Sequence, residues 1–188
     1  MMRPTIEIEA ISEDGKKGLI TILNKVVKVE YGMITNYPRI VDYFVSIEKI
    51  NDEAFLSYLE MIGKESTRHL GLVIDIVKSL GGEPGWQMGV IEKTFDAREH
   101  GTQQLEREKE AVELYKQAIL VARNNTVKEK VEEFSGKYIK SGKGGLQQEV
   151  RKASEVISIL ERIEADEIRH VRVVEDMLKT YSFLSGGS

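Results

Sequence analysis

Two stretches decide the fold of this chain: LEMIGKESTRHLGLVIDIVK, from Leu59 to Lys78, and LERIEADEIRHVRVVEDMLK, from Leu160 to Lys179. Laid on one another at an offset of 101 positions they agree at eight of twenty: Leu59/Leu160, Glu60/Glu161, Ile62/Ile163, Arg68/Arg169, His69/His170, Val73/Val174, Asp75/Asp176 and Lys78/Lys179. Unrelated segments of ordinary composition agree at about one or two, a figure that shared amphipathic character raises. A second pairing lies upstream of each stretch. Glu30 stands seven positions before Tyr37, and Glu108 stands seven before Tyr115, at an offset of 78. The two offsets differ by 23, which places an insertion of that length in the second half and fits 124–145. The chain reads as one helical hairpin present twice.

Working outward, apolar residues recur at spacings of three and four, the signature of one helical face. The first helix is expected over about 16–47, with Leu19, Leu23, Val26, Met33 and Tyr37 in line and Glu30 set among them. Pro38 has no amide hydrogen and is expected to kink or end it, with Ile40 to Ile47 continuing helically. A second helix over about 51–80 takes Asn51 as its cap, carries Phe55, Leu59, Ile62, Ser66, His69, Val73, Ile76 and Leu80, and stops at Gly81-Gly82. A third, over about 103–123, aligns Leu105, Glu108, Val112, Tyr115, Ile119 and Ala122. The fourth, over about 146–181, aligns Val156, Leu160, Ile163, Glu167, His170, Val174 and Met177. Within the insertion, Val127 to Phe134 reads as a short helical piece ahead of a glycine-rich loop. Apart from Thr5 to Ile11 few segments alternate with period two, so no sheet is expected. The expected class is all-α: four main helices, two hairpins joined by a long crossover between the second and third, in a single domain over 1–188.

Composition narrows the chemistry. The 188 residues carry 27 Lys+Arg against 31 Asp+Glu, a formal charge of -4, with 41% hydrophobic residues and no cysteine. A core can form at this length without a disulfide or structural metal. The absence of cysteine excludes thiolate metal sites and cysteine nucleophiles. Mild acidity argues against nucleic acid as a partner. No apolar run approaches the ~20 residues of a membrane span, and the start lacks a signal peptide's apolar segment, so a cytoplasmic protein with no membrane partner is expected.

Acidic and imidazole side chains on apolar stripes carry the chemistry. His69 and His170 hold equivalent places in the repeat. Glu167 and His170, at i and i+3, can reach one metal or two adjacent ones, and Glu30 and Glu108 supply carboxylates from the other two helices. Buried carboxylates need a neutralising partner, and three of them converging with two imidazoles make a divalent ion the most economical one. Oxygen and imidazole donors without thiolate suit iron or manganese, with zinc also admissible. For each residue a plainer role exists: a lone buried histidine is more often hydrogen-bonded in a core than metal-bound, and Tyr37 and Tyr115 fit core aromatics with polar tips. Glu106, Glu110, Glu113 and Glu164 read as a solvated face, with Glu110 and Glu164 also candidates for extra ligands, and Arg68 and Arg169 read equally as partners for acids such as Asp75 and Asp176 or as solvated surface charges. His100, in the crossover, reads as exposed.

This pattern resembles the ferritin-like superfamily, in particular the rubrerythrin and bacterioferritin type of di-iron carboxylate bundle. Its site takes a Glu from each of two helices and a Glu-x-x-His from each of the other two. Glu30, Glu108 and Glu167-x-x-His170 match, over about Leu19 to Tyr181, and both the turn Leu80-Gly81-Gly82-Glu83-Pro84 and the pair Tyr37-Pro38 have counterparts there. Two departures stand out. Serine occupies position 66, where the resemblance expects the first bridging glutamate, and Glu65, at i,i+4 from His69, is the alternative ligand. Without Glu65 or a bridging hydroxide, two divalent ions face only the three charges of Glu30, Glu108 and Glu167, and a single metal held by Glu108, Glu167 and His170 is then the alternative. The second departure, the lack of cysteine, excludes the rubredoxin iron site of many rubrerythrins and leaves an external electron donor.

What the resemblance implies is a dinuclear-metal oxidoreductase acting on hydrogen peroxide or dioxygen, a rubrerythrin-like peroxidase with two irons per chain, or manganese or zinc in their place. Its metal residues are Glu30, Glu65, His69, Glu108, Glu167 and His170, with Tyr37 or Tyr115 donating a hydrogen bond or a proton. A ferroxidase or iron-handling protein uses the same site with Fe(II) as substrate. Ser66 motivates a third reading, a degenerate bundle that binds a partner or serves structure without metal. Homodimers through helix faces are expected of the superfamily.

Overall fold

The computed structural model of the chain describes residues 4–46, 52–87, 97–141 and 147–182. In chain order the elements are β1 (Thr5–Ile11), α1 (Glu13–Ser46), α2 (Glu53–Ser79), α3 (Ala97–Asn124), β2 (Thr126–Phe134), β3 (Lys137–Ser141), β4 (Gln147–Val150) and α4 (Ala153–Ser182). The four helices form the bundle that the repeat predicts, α1 packing on α2 and α3, and α4 on α3 and, over a smaller area, on α2. Each apolar stripe faces its centre: Leu19, Leu23, Val26 and Met33 from α1, Leu59, Ile62, Val73 and Ile76 from α2, Tyr115 and Ala122 from α3, and Leu160, Ile163 and Val174 from α4 are all buried. Burial of such a set from water is the main favourable term in folding a bundle of this kind.

The ends of the helices follow from local chemistry. Ser12 caps α1, its hydroxyl oxygen accepting from the Gly15 amide at 3.2 Å. Residue Pro38 removes one intrahelical hydrogen bond, yet α1 runs through it unbroken, held on either side by the buried Tyr37, Ile40 and Phe44. The cap of α2 is Asp52, whose carboxylate accepts from the Phe55 amide at 3.0 Å; the expected cap, Asn51, lies outside the described residues. At the other end of α2, Gly81 adopts φ 80, a left-handed conformation that favours glycine. Its amide donates to the Lys78 carbonyl at 2.9 Å and that of Gly82 to the Val77 carbonyl at 3.0 Å, a complete Schellman stop. Asn24 of α1 then pins the outgoing loop, accepting from the Gly85 amide at 2.8 Å and donating to the Glu83 carbonyl at 3.2 Å.

Three expectations are corrected. Helix α3 starts at Ala97 rather than near 103, which places His100 on its inward stripe, buried and 6.1 Å from the Tyr43 ring, rather than exposed in the crossover. The last helix starts at Ala153 rather than near 146. And the chain has a sheet: β1 to β4 lie in sequence order, every neighbouring pair antiparallel. The segment Val127 to Phe134, read as helical, is most of β2, and it pairs with β1 from Thr5↔Glu132 to Ile11↔Thr126. Val127, Val131 and Phe134 share helical spacing and the lysines and glutamates between them favour helix, but β1 offers a ladder that local periodicity cannot reveal. Ser135 and Gly136, both at positive φ, form the two-residue turn between β2 and β3. One face of the sheet buries Ile8, Ala10, Val131 and Val150, with Ile6 and Tyr138 packed against them. Since β1 leads into α1, α3 leads into β2 and β4 leads into α4, the insertion and the amino-terminal strand together close one end of the bundle. Among the described residues no helix is long and apolar enough to cross a membrane.

Candidate metal centre

At one level of the bundle α1 contributes Glu30, α2 His69, α3 Glu108 and α4 both Glu167 and His170. Glu30, His69, Glu108, Glu167 and His170 are each 0% exposed. Their donor atoms form two groups, Glu30 with His69 and Glu167, and Glu108 with Glu167 and His170, each with its ligand atoms within 4.8 Å of one another. Glu167 belongs to both. Its Oε1 lies 2.6 Å from His69 Nδ1 and its Oε2 lies 3.5 Å from His170 Nδ1. The terminal carboxylates complete each side, Glu30 Oε1 at 3.6 Å from His69 Nδ1 and Glu108 Oε2 at 3.5 Å from His170 Nδ1. The two imidazoles are stacked, 5.8 Å between centroids.

A ring of outer contacts repeats between the halves. Glu65 accepts at His170 Nε2 at 2.8 Å and from Arg169 at 2.7 Å. Asp166 does the same for His69 Nε2 at 3.3 Å and Arg68 at 2.7 Å. Tyr37 donates to Glu108, and Tyr115 donates to Glu30 at 2.7 Å. Every one of these contacts joins the first hairpin to the second, and each has its counterpart with the halves exchanged. The sequence repeat is therefore a two-fold relation between the hairpins, and Ser66 opposite Glu167 is where it fails.

The residues named from sequence thus separate into two kinds. Glu30, His69, Glu108, Glu167 and His170 converge. Glu65 stands outside both groups, its carboxylate on the imidazole nitrogen turned away from Glu108 and Glu167, where it orients His170 and fixes the proton on Nε2. Arg68 and Arg169 pair with Asp166 and Glu65 rather than with Asp75 and Asp176. Glu106, Glu110 and Glu113 are exposed, as expected of a solvated face. Two contributors escaped the sequence reading. Asp166 is one, although its place as the repeat mate of Glu65 marks it. Gln104 is the other: buried one turn before Glu108, it donates to Glu108 Oε1 at 3.0 Å, and its polarity on an apolar stripe was the available signal.

Electrostatics here are those of closely set buried acids. Burial, reinforced by Glu167, raises the Glu30 carboxyl to about 7, and burial raises that of Glu167 also. For His69 and His170 burial opposes the charge, but the nearby carboxylates, Glu167 and Glu30 for His69 and Glu108 and Glu167 for His170, outweigh it and hold the imidazoles at about 9 and about 11. The phenols of Tyr37 and Tyr115 are pushed well above their usual range, by burial first and then by Glu108 and Glu30 respectively. Burial works against the charge of Glu65 too, yet His170 and Arg169 draw its carboxyl down. Four buried donor atoms, Glu30 Oε2, Glu108 Oε2, Glu167 Oε2 and His170 Nδ1, have no hydrogen-bond partner. Orphaned atoms of this kind are rare in native interiors, and oxygen and imidazole donors gathered in this way are of the kind that can hold iron.

No protein-family model matches the chain, and no curated protein matches it in sequence. Solved structures match it in fold. The Desulfovibrio desulfuricans bacterioferritin, described with its diiron site in different catalytic states, is 20% identical, with 92% of this chain and 84% of that one covered at a TM-score of 0.65. A ferritin-like diiron-carboxylate protein from Bacillus anthracis is 21% identical, with 87% and 97% covered at 0.65. The Mycobacterium tuberculosis bacterioferritin BfrA is 18% identical, with 88% and 87% covered at 0.64. The chain has the ferritin-like fold, as the resemblance implied.

Proposed function

We propose that this chain is a dinuclear-metal oxidoreductase that reduces hydrogen peroxide, with dioxygen as the alternative oxidant and electrons drawn from an external donor. The observation that carries this reading is the pair of buried ligand groups sharing Glu167. Iron or manganese bound there supplies Lewis acidity and the redox change by which an O–O bond takes up two electrons. The protein's own residues do the rest. Glu167 would serve both ligand groups, while Glu30 and Glu108 would each serve one. Tyr37 and Tyr115 remain neutral phenols and hold those two carboxylates by donated hydrogen bonds, keeping a proton at each Oη beside the site. Outer carboxylates at His69 and His170 fix the imidazoles with Nδ1 inward.

Peroxide is preferred to Fe(II) as substrate because all five donors are sealed from water and both histidines are fixed from outside. That suits resident ions and a small neutral substrate that diffuses in, rather than ions in transit. The fold shared with bacterioferritins supports the second reading, a ferroxidase for which Fe(II) is the substrate. Metal per chain, measured on protein as isolated and after anaerobic loading with Fe(II) or Mn(II), is the first test; two ions per chain are expected, and none would leave a helical binding or structural module. Peroxide consumption under a chemical reductant then separates the redox readings. Many turnovers at a constant two irons fit the peroxidase, whereas ferric iron accumulating beyond two per chain fits the ferroxidase.

A further inference from the structure

Ser66 precedes His69 by the same three positions as Glu167 precedes His170, and among the ligand positions described it is where one half lacks the acid that the other carries. It is 0% exposed, and its Oγ has no hydrogen-bond partner. A buried hydroxyl left unbonded is costly, and alanine would avoid the cost. Around it the other elements of the second half's site have their mates: Glu30, Tyr37, the outer carboxylate and its arginine. Glu65 does not fill the place, since its carboxylate is engaged with His170 Nε2 and Arg169. Serine's Oγ stands about where glutamate's Cγ would, so the position ends one carboxylate short, and a free carboxylate taken up there would sit beyond Oγ at hydrogen-bond distance of roughly 2.7 Å.

We propose that this place is a binding site for a small exogenous monocarboxylate, formate being the closest in size and acetate the next, received by the Ser66 hydroxyl. The proposal rests on the dinuclear reading above. Two divalent ions face three carboxylates, Glu30, Glu108 and Glu167, so one more anion brings the donor set to four negative charges. A carboxylate is also what the repeat mate Glu167 places at the equivalent position, and its two oxygens can reach both groups, as those of Glu167 reach both histidines with Oε1 and Oε2. The Ser66 Oγ–H donates to the anion, a charge-assisted bond of the stronger kind.

The test uses Mn(II), which is stable in air at this valence, and Co(II), whose ligand-field absorption reports coordination. Calorimetric titration of the full chain with Mn(II) in chloride and in formate is expected to give two ions per chain, with the second bound about tenfold more tightly in formate. Formate is expected to shift the Co(II) spectrum saturably. Ser66→Ala should keep two ions and weaken formate binding about tenfold through loss of the donated hydrogen bond. Ser66→Glu, which supplies its own carboxylate, should bind both ions tightly with no dependence on formate; should it fail to fold, Ser66→Ala, which removes one oxygen, carries the test. Two ions bound identically in chloride and formate, with no spectral change, would overturn this site and leave the dinuclear reading standing. No Mn(II) bound in either buffer would overturn both.

Discussion

Glu167 is the residue on which the two halves of the centre depend, because one oxygen faces each histidine. Glu167→Ala is therefore expected to abolish binding of both ions, whereas Glu108→Ala, which leaves the Glu30 group intact, is expected to retain about one per chain. Counting metal by mass spectrometry on the two variants checks this, and equal losses would refute the shared ligand. Glu65 provides a contrast. If it orients His170 rather than binding metal, Glu65→Gln keeps the count at two and lowers affinity about 10–100-fold; a lost ion would make it a ligand after all. Protons set a further expectation. In His69 and His170 the folded form holds its proton more tightly than the unfolded chain, so the stability they contribute is complete below about 6.5 and is lost as pH rises through about 9 and about 11. The raised Glu30 carboxyl acts in the same direction, its contribution fading as pH climbs from the ordinary carboxyl range through about 7. Metal must displace these protons, so its affinity rises over the same window. Melting curves with and without Mn(II) at about pH 6 and about pH 8.5 should show the metal-free protein losing stability and the metal-dependent gain growing; equal gains at both would contradict the linkage.

At the scale of elements, α2 supplies the half of the site that lacks an acid, since it carries Ser66, His69 and the outer acid Glu65 on one helix. Its register is set at both ends, by the Asp52 cap and by the Gly81 stop. Gly81→Ala places a side chain at φ 80 and is expected to cost roughly 1–2 kcal/mol in denaturant unfolding. Gly63 is a second close approach, since a Cβ there would come within 3.2 Å of Tyr37 Cβ. These helices were legible in sequence because their stripes are long and strictly spaced, and the stop at Gly81-Gly82 was legible for the same local reason. The start of α3 was not: Ala97 to Thr102 has few apolar residues to mark a stripe, and only packing against Tyr43 and the end of α4 shows that it is helical and faces inward.

For the whole molecule, the sheet and the metal centre are separable. The cluster of Ile8, Ala10, Val131 and Val150 is distinct from the core that surrounds the ligands. Ile8→Ala is expected to lower stability by roughly 2–3 kcal/mol, within the range for emptying a buried isoleucine, while folded protein keeps its metal count; loss of metal from the folded variant would tie the sheet to the site. Sequence by itself determined the two hairpins, the faces they bury and the five inward donors, because helical periodicity is local and a repeat makes two weak signals support each other. Only the tertiary structure decided that Thr126–Phe134, Lys137–Ser141 and Gln147–Val150 are strands, since β1 finds its partner across the length of three helices, and that Glu65 serves His170 from outside, since a carboxylate one position off the stripe reaches either nitrogen depending on how its helix is rotated against the next. Tertiary structure also decided that Arg68 and Arg169 cross between hairpins, because their nearest acids in space belong to the other half of the chain.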